Sequence, residues 1–184
     1  MKKFSLLTVA LIAVLAICVG TASAQTASIG YQGMVGTGTN VLSGLSVRGW
    51  VDAIGWEGTL FFGRADIEAD SPGGTDQIFN GDVWALDAQA MYAIIQKENS
   101  KLYLGLHAAY GQWSVEGFGD KEDDSFWMAG PVVGAQYTLQ GIPELSFNWE
   151  VAYDFLNATI PAGSSEIDIA LDGMNTTIGV HYAF

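Results

Sequence analysis

Two histidines, a single cysteine and a large excess of carboxylates over cations define the chemistry available to this chain of 184 residues. A His beside a carboxylate equips a protein for general acid–base work, and with a nearby Ser or Cys for nucleophilic catalysis. Neither His has such a companion among its sequence neighbours. His107 is followed by Ala108 and Ala109, His181 by Tyr182 and Ala183, and Cys18 lies in an apolar amino-terminal run. Hard cations are another option for a carboxylate-rich chain, and Asp120-Lys121-Glu122-Asp123-Asp124 is the densest acidic run. It lacks the glycine and the ligand spacing of a calcium loop. We therefore expect a solvated acidic surface bridged by divalent cations, with no built metal site, no cofactor and no catalytic residues.

Parity is what the polar residues share. Arg48, Asp52, Asp87, Gln89, His107, Gln136, Asn148, Glu150, Asp154 and His181 each fall on the less apolar face of a segment whose residues alternate. Gathered in a low-dielectric interior, one Arg among several carboxylates has to be paired, so the expectation is a hydrogen-bonded network centred on Arg48. Such a network locks an interior shut; the alternative is a narrow, cation-preferring leak through gaps in it.

The elements that position these residues are strands. From Ser28 onward the chain falls into eight alternating segments, 28–36, 44–54, 57–67, 83–95, 101–113, 126–139, 145–157 and 174–184, joined by connections that are alternately long and short. Lys97-Glu98-Asn99-Ser100 and Gln140-Gly141-Ile142-Pro143-Glu144 read as short turns. Long connections over 37–43, 68–82, 114–125 and 158–173 hold most of the acid, including Glu68, Asp70, Asp76, Asp82, Glu116, Glu166, Asp168 and Asp172, with Asp66 just before the second.

The two faces of the later segments differ in kind. Trp84, Leu86, Ala88, Ala90, Tyr92 and Ile94 alternate with Ala85, Asp87, Gln89, Met91 and Ala93. Leu102, Leu104, Leu106, Ala108 and Tyr110 alternate with Tyr103, Gly105, His107, Ala109 and Gly111. Segments 126–139 and 145–157 repeat the pattern, with Trp127, Val133, Tyr137, Phe147 and Trp149 against Gly130, Gly134, Gln136, Asn148, Glu150 and Asp154. The apolar sets carry no charge, and the opposite sets mix small residues with ionisable ones and contain no Lys or Arg. A barrel in water would place the apolar set inside and cover its outside with charges, Lys above all. Here the apolar set is expected to face lipid. Trp127 and Tyr137 are ten steps of ~3.3 Å apart, about 25 Å along the normal once the strand tilts by ~40°, which is the height of the apolar band between aromatic girdles. Trp84, Tyr92, Tyr110, Trp127 and Tyr137 are the expected interface aromatics. In the first strands Ile29, Tyr31, Val35, Leu45, Val47 and Val51 read as outward, whereas Glu57, Thr59 and Phe61 against Trp56, Leu60 and Phe62 fit either parity, or a bulge.

The amino end reads as an export signal: Lys2 and Lys3, an apolar core over 6–19, and Ala22-Ser23-Ala24 as a small-residue cleavage site. We assign residues 1–24 to a cleaved signal peptide and 25–184 to one domain. Leu15-Ala16-Ile17-Cys18 approximates a lipoprotein box, but a bulky Ile17 stands where Gly or Ala belongs. Cleavage after Ala24 removes Cys18, and with it any disulfide or thiol chemistry. The net charge of −13 becomes more negative still when Lys2 and Lys3 are lost, which disfavours nucleic acid and anionic surfaces. No later run approaches the ~18 apolar residues of a spanning helix, so a membrane location requires a closed sheet.

The last ten residues, 175–184, complete the picture. Ile178, Val180, Tyr182 and the terminal Phe184 alternate with Thr177, Gly179, His181 and Ala183. This ending resembles the closing strand of bacterial outer-membrane β-barrels, and the whole chain resembles the small OmpA/OmpX-type group. The resemblance implies an all-β fold, an eight-stranded antiparallel up-and-down transmembrane barrel. It implies the bacterial outer membrane as location, and outer-membrane lipid and lipopolysaccharide as surroundings. It further implies that Ile178, Val180, Tyr182 and Phe184 are an assembly signal read by the barrel-assembly machinery. Some small barrels of this kind deacylate lipid A with a His and a Ser two residues apart on a lipid-facing strand, a pair that neither His107 nor His181 supplies. The expected role is non-enzymatic, in envelope structure or surface interaction, with the acidic loops meeting an extracellular ligand that the sequence does not name.

Overall fold

The computed structural model describes residues 26–35, 41–71, 74–117, 120–162 and 165–184, with side chains described outside 26, 41, 65–81, 115–124 and 158–169. The signal-peptide assignment therefore lies outside the described residues, as do most acidic side chains of the connections. Eight strands, β1 (Thr26–Val35), β2 (Val41–Val51), β3 (Ile54–Ser71), β4 (Gly74–Lys97), β5 (Ser100–Gly117), β6 (Asp120–Leu139), β7 (Ile142–Ala162) and β8 (Ser165–Ala183), close in sequence order into an antiparallel barrel. β1 meets β8 at the seam, with Gly30 opposite His181 and Ser28 opposite Ala183. The Phe184 amide donates to Ala27 O at 3.2 Å just beyond the last ladder pair. Closure leaves no edge, the condition for a sheet to stand in hydrocarbon.

Alternation sorts the side chains as the later segments dictate. Leu104, Leu106, Val133, Phe147, Trp149 and Ile178 are exposed on the outside, Leu106 at 67%. Asp87, Gln89, His107, Glu150, Asp154 and His181 are buried within. Water would leave that apolar belt far larger than the few hundred Å² a soluble monomer exposes, and lipid removes the cost. The outside is the membrane face.

Three features depart from the sequence reading. First, the expected long connections over 68–82, 114–125 and 158–173 are largely continuing strand: the ladders stay paired out to Ser71–Gly74, Gly117–Asp120 and Ala162–Ser165. Backbone pairing needs no hydrophobic alternation once a hairpin has left the lipid band, so the loss of alternation hid it. Secondly, β2 ends at Val51 and the turn is Asp52-Ala53, not 55–56. Gly55 is a ladder residue opposite Trp50, and a Cβ there would come within 2.7 Å of the indole. It is small to admit a ring, not to make a turn. Asp52 is thus corrected: it is an exposed turn residue with φ of 52°, a left-handed conformation that Asp tolerates, and it contributes nothing to the interior. Thirdly, β3 takes one definite parity. Glu57, Thr59 and Phe61 point inward and Leu60 and Phe62 outward, with no irregularity before Ile67/Glu68. A bulge does occur in β4, between Ala93 and Ile95, and leaves Ile94 and Ile95 both on the outer face.

The belt's mid-height gives a direct check. Leu104 lies near the middle of the Trp127–Tyr137 span, where β5 pairs with β6. Replacing it with Arg should destabilise the barrel by about 2–4 kcal/mol in bilayer refolding titrations, while Glu98→Arg in the short turn between β4 and β5 should change stability by well under 1 kcal/mol.

Candidate functional site: the polar interior of the barrel

The barrel interior is layered. Toward the short turns Trp50, Met91, Ala93 and Tyr103 form one apolar cluster, and toward the other end Met34, Phe61, Ala85, Ala109 and Met128 form a second. Between and beside them sit the ionisable groups, in two sets.

Arg48 on β2 is fully buried and is shared by two acids. Its guanidinium donates through Nε at 2.9 Å and through Nη2 to Glu57 Oε2 on β3, and through Nη2 to Glu150 Oε1 on β7. Nη1 donates to the Tyr103 hydroxyl on β5 at 3.1 Å, and that hydroxyl donates to Glu150 Oε1 at 2.5 Å. Gln32 Nε2 donates to Glu57 Oε1, and Asn148 Nδ2 to Glu150 Oε1 at 3.2 Å. His181 Nε2 lies 2.8 Å from Ser46 Oγ and 3.1 Å from Glu57 Oε1. One cation thus ties strands from opposite walls of the barrel. Planar Arg suits this task, because its five donors can serve two carboxylates and a phenol at once.

The second set is centred on His107. Nδ1 faces Asp87 Oδ2 at 2.8 Å and Nε2 faces Asp154 Oδ1 at 2.6 Å, while Asn175 Nδ2 donates to Asp154 Oδ2. Ionised carboxylates only accept, so with both acids ionised both ring nitrogens donate and the ring is the local cation. This arrangement clamps β4, β5 and β7 together. Because both nitrogens are occupied, the ring presents no free base.

Small residues make the room. A Cβ on Gly134 would meet the Tyr103 ring at 2.5 Å, and one on Gly30 would meet the His181 ring at 2.3 Å. The space left beside the ionic groups, lined by Gln32, Asp87, Gln89, His107, Glu150 and Thr177 among others, measures about 10 Å³. That is room for roughly one water molecule. Gln89 Nε2 borders this space and meets no protein acceptor.

Of the residues expected to share the interior, Arg48, Asp87, His107, Glu150, Asp154 and His181 are in these two sets, with Gln89 beside them. Gln136 lies apart, accepting from Trp50 Nε1 at 2.9 Å near the short-turn end. The sequence reading did not place Gln32 or Lys101 in the interior, left Glu57 at either parity, and gave Tyr103 its inward parity without a part in the network. Glu57 was hidden by the two apolar faces of β3, although its place nine residues after Arg48 across a tight turn was the available signal. Lys101 has the inward parity of β5, and its ammonium stands 4.5 Å over the Trp50 ring. Of the interface aromatics, Tyr92, Tyr110, Trp127 and Tyr137 are exposed on the outer face, and Trp84 is half-buried with its ring edge-on to Tyr110 at 6.4 Å. Ile178, Tyr182 and Phe184 are exposed, with Val180 partly covered on the same face.

No family model matches the chain, and no curated protein matches it. Solved structures do. Neisserial surface protein A matches with a TM-score of 0.57 at 13% identity, over 87% of this chain and 96% of that one. Outer membrane protein OprG from Pseudomonas aeruginosa matches with a TM-score of 0.56 at 14% identity, over 87% and 95%. A major outer membrane protein from Thermus thermophilus matches with a TM-score of 0.55 at 15% identity, over 88% and 100%. At these identities the likeness is one of fold. The shared fold is a closed eight-stranded antiparallel barrel, the architecture of these outer-membrane proteins, and here it carries an apolar outer belt.

Removing Arg48 leaves two buried acids facing each other. Arg48→Met should lower stability in detergent or bilayer urea titrations by about 3–5 kcal/mol, the cost of breaking a buried ion pair from one side. Adding Glu57→Gln and Glu150→Gln to Arg48→Met should restore most of that loss. A single variant as stable as the parent would show that the interior is hydrated enough to screen the charges.

Proposed function

We propose that the protein is a non-enzymatic integral component of the outer membrane, a closed barrel that carries acidic extracellular hairpins for surface interaction. The observation that carries this reading is the filled interior, in which Arg48, Glu57, Glu150 and Tyr103 bond across the lumen and the space left beside them is about 10 Å³. A conducting path needs continuous room for a hydrated ion, and this layer obstructs one. The histidines support the non-enzymatic part. Both are buried on the lumen side, His107 bonded to two acids and His181 to Ser46 and Glu57, whereas a lipid-modifying base must reach the outer face.

Hairpin length supports the interaction role. From Phe62–Trp84 to Ser71–Gly74 the β3–β4 ladder runs for roughly 30 Å at ~3.3 Å per residue, carrying an acidic sequence well clear of the lipid band. Paired strands hold such tips away from the surface, and rigid barrels commonly present binding residues this way. Anionic tips favour cationic ligands and divalent bridges to the phosphates of lipopolysaccharide. Biogenesis follows the same reading: Ile178, Val180, Tyr182 and Phe184 form the outward row that the assembly machinery recognises.

Planar-bilayer recording of the refolded protein tests the closed barrel, and no current steps above background are expected. Cation-selective steps would replace the structural reading with a pore. Biogenesis has its own check: Phe184→Ala should reduce the outer-membrane level of the protein severalfold in cells while leaving detergent refolding of the purified chain intact. Equal levels in cells would remove the assembly-signal role.

A further inference from the structure

The outer surface is not uniformly convex. At the short-turn rim, β-ladder pairing sets Ile95, Leu102, Ala135, Trp149 and Ile178 in one row across five strands. Ala135 offers only a methyl between Leu102 and Trp149. The next row toward the rim is Lys97, Ser100, Tyr137 and Phe147. The result is a groove of about 580 Å³ with Ala135 between largely apolar walls, Lys97 with Ser100 at its rim end, and the polar Gln136 and Asn148 also on its lining. Its size falls within the ~300–1,000 Å³ of small-molecule sites.

We propose that this groove binds one anionic phospholipid of the periplasmic leaflet, an acyl chain lying over Ala135 and the phosphate held at Lys97 and Ser100. Three observations select this occupant. The walls are largely apolar and aromatic, with Tyr137, Phe147 and Trp149 all exposed, as a hydrocarbon chain requires. The rim end is the end of the short turns, where outer-membrane barrels meet the periplasmic leaflet. The charge is complementary as well. In a chain of net charge −13, a lysine closes this groove. Lys101 lines it too, but its ammonium turns inward over Trp50, which leaves Lys97 as the cation on the outer side. Glu98 and Glu144 stand in neighbouring turn positions and are not part of the lining.

Native mass spectrometry of the folded protein in a neutral detergent tests the site, using phosphatidylglycerol and phosphatidylcholine with identical acyl chains. One phosphatidylglycerol should be retained, with phosphatidylcholine weaker by about fivefold, the scale of one lysine's attraction to an anionic lipid. Lys97→Glu should bring phosphatidylglycerol retention down to the phosphatidylcholine level. Ala135→Trp, which fills the groove, should abolish the adduct while keeping the heat-dependent gel shift of a folded barrel; if that variant does not fold, Lys97→Glu decides alone. Equal retention of the two lipids overturns the proposal, as does an adduct that survives Ala135→Trp. A dimer of the parent that Ala135→Trp dissociates would instead assign the groove to a second copy of the chain.

Discussion

Hydrocarbon offers no hydrogen-bond partner, and that single fact inverts this protein. Every backbone group has to be paired by closure, and every polar side chain in the membrane-spanning part has to find company inside. The inside of an eight-stranded barrel is narrow, so company means direct contact between side chains from opposite walls. Arg48 meets the constraint by serving Glu57, Glu150 and Tyr103 together, and His107 by bridging Asp87 and Asp154. Neither set is stabilising in the way an apolar core is. Buried charges cost desolvation, and their pairing offsets that cost only while all members are present. The interior is therefore best understood as an all-or-none assembly that specifies which strands face one another.

Glycine on the inner face is the companion of these large polar groups. Gly134 accommodates Tyr103, Gly30 accommodates His181, and Gly179 stands against the Asn148 carboxamide. Large and small residues alternate around the lumen, so that each long side chain lies over a glycine that is its ladder partner on the neighbouring strand. The same device recurs near the rim, where Gly55 receives Trp50. The two apolar clusters flank the polar groups toward either end of the barrel, which lowers the local dielectric and strengthens their hydrogen bonds.

Legibility in the sequence followed this chemistry. The inward parity of Asp87, His107, Glu150 and Asp154 could be read because their strands oppose a purely apolar set, and lipid contact permits no exception there. β3 could not be read, because Phe61 is apolar yet inward while Leu60 and Phe62 beside it are apolar and outward. Its Glu57, the closest partner of Arg48, was lost with it. The turn after β2 was misplaced because Gly55 is ambiguous: small residues mark both turns and the sites where a ring must fit. Hairpin length was illegible for a different reason. Beyond the lipid band, pairing continues on backbone hydrogen bonds alone, and no side-chain pattern records it.

What joins these strands of the account is the assignment of faces, lipid outside and ionic network inside, and it can be measured on tryptophan. Trp149 is 56% exposed on the outer face and Trp50 is 4% exposed in the lumen. In variants that keep one of these indoles and carry Phe at the other Trp positions, reconstituted in bilayers of brominated lipid, Trp149 emission should be strongly quenched and Trp50 emission nearly unaffected. Equal quenching, or stronger quenching of Trp50, would contradict the arrangement on which every other conclusion stands.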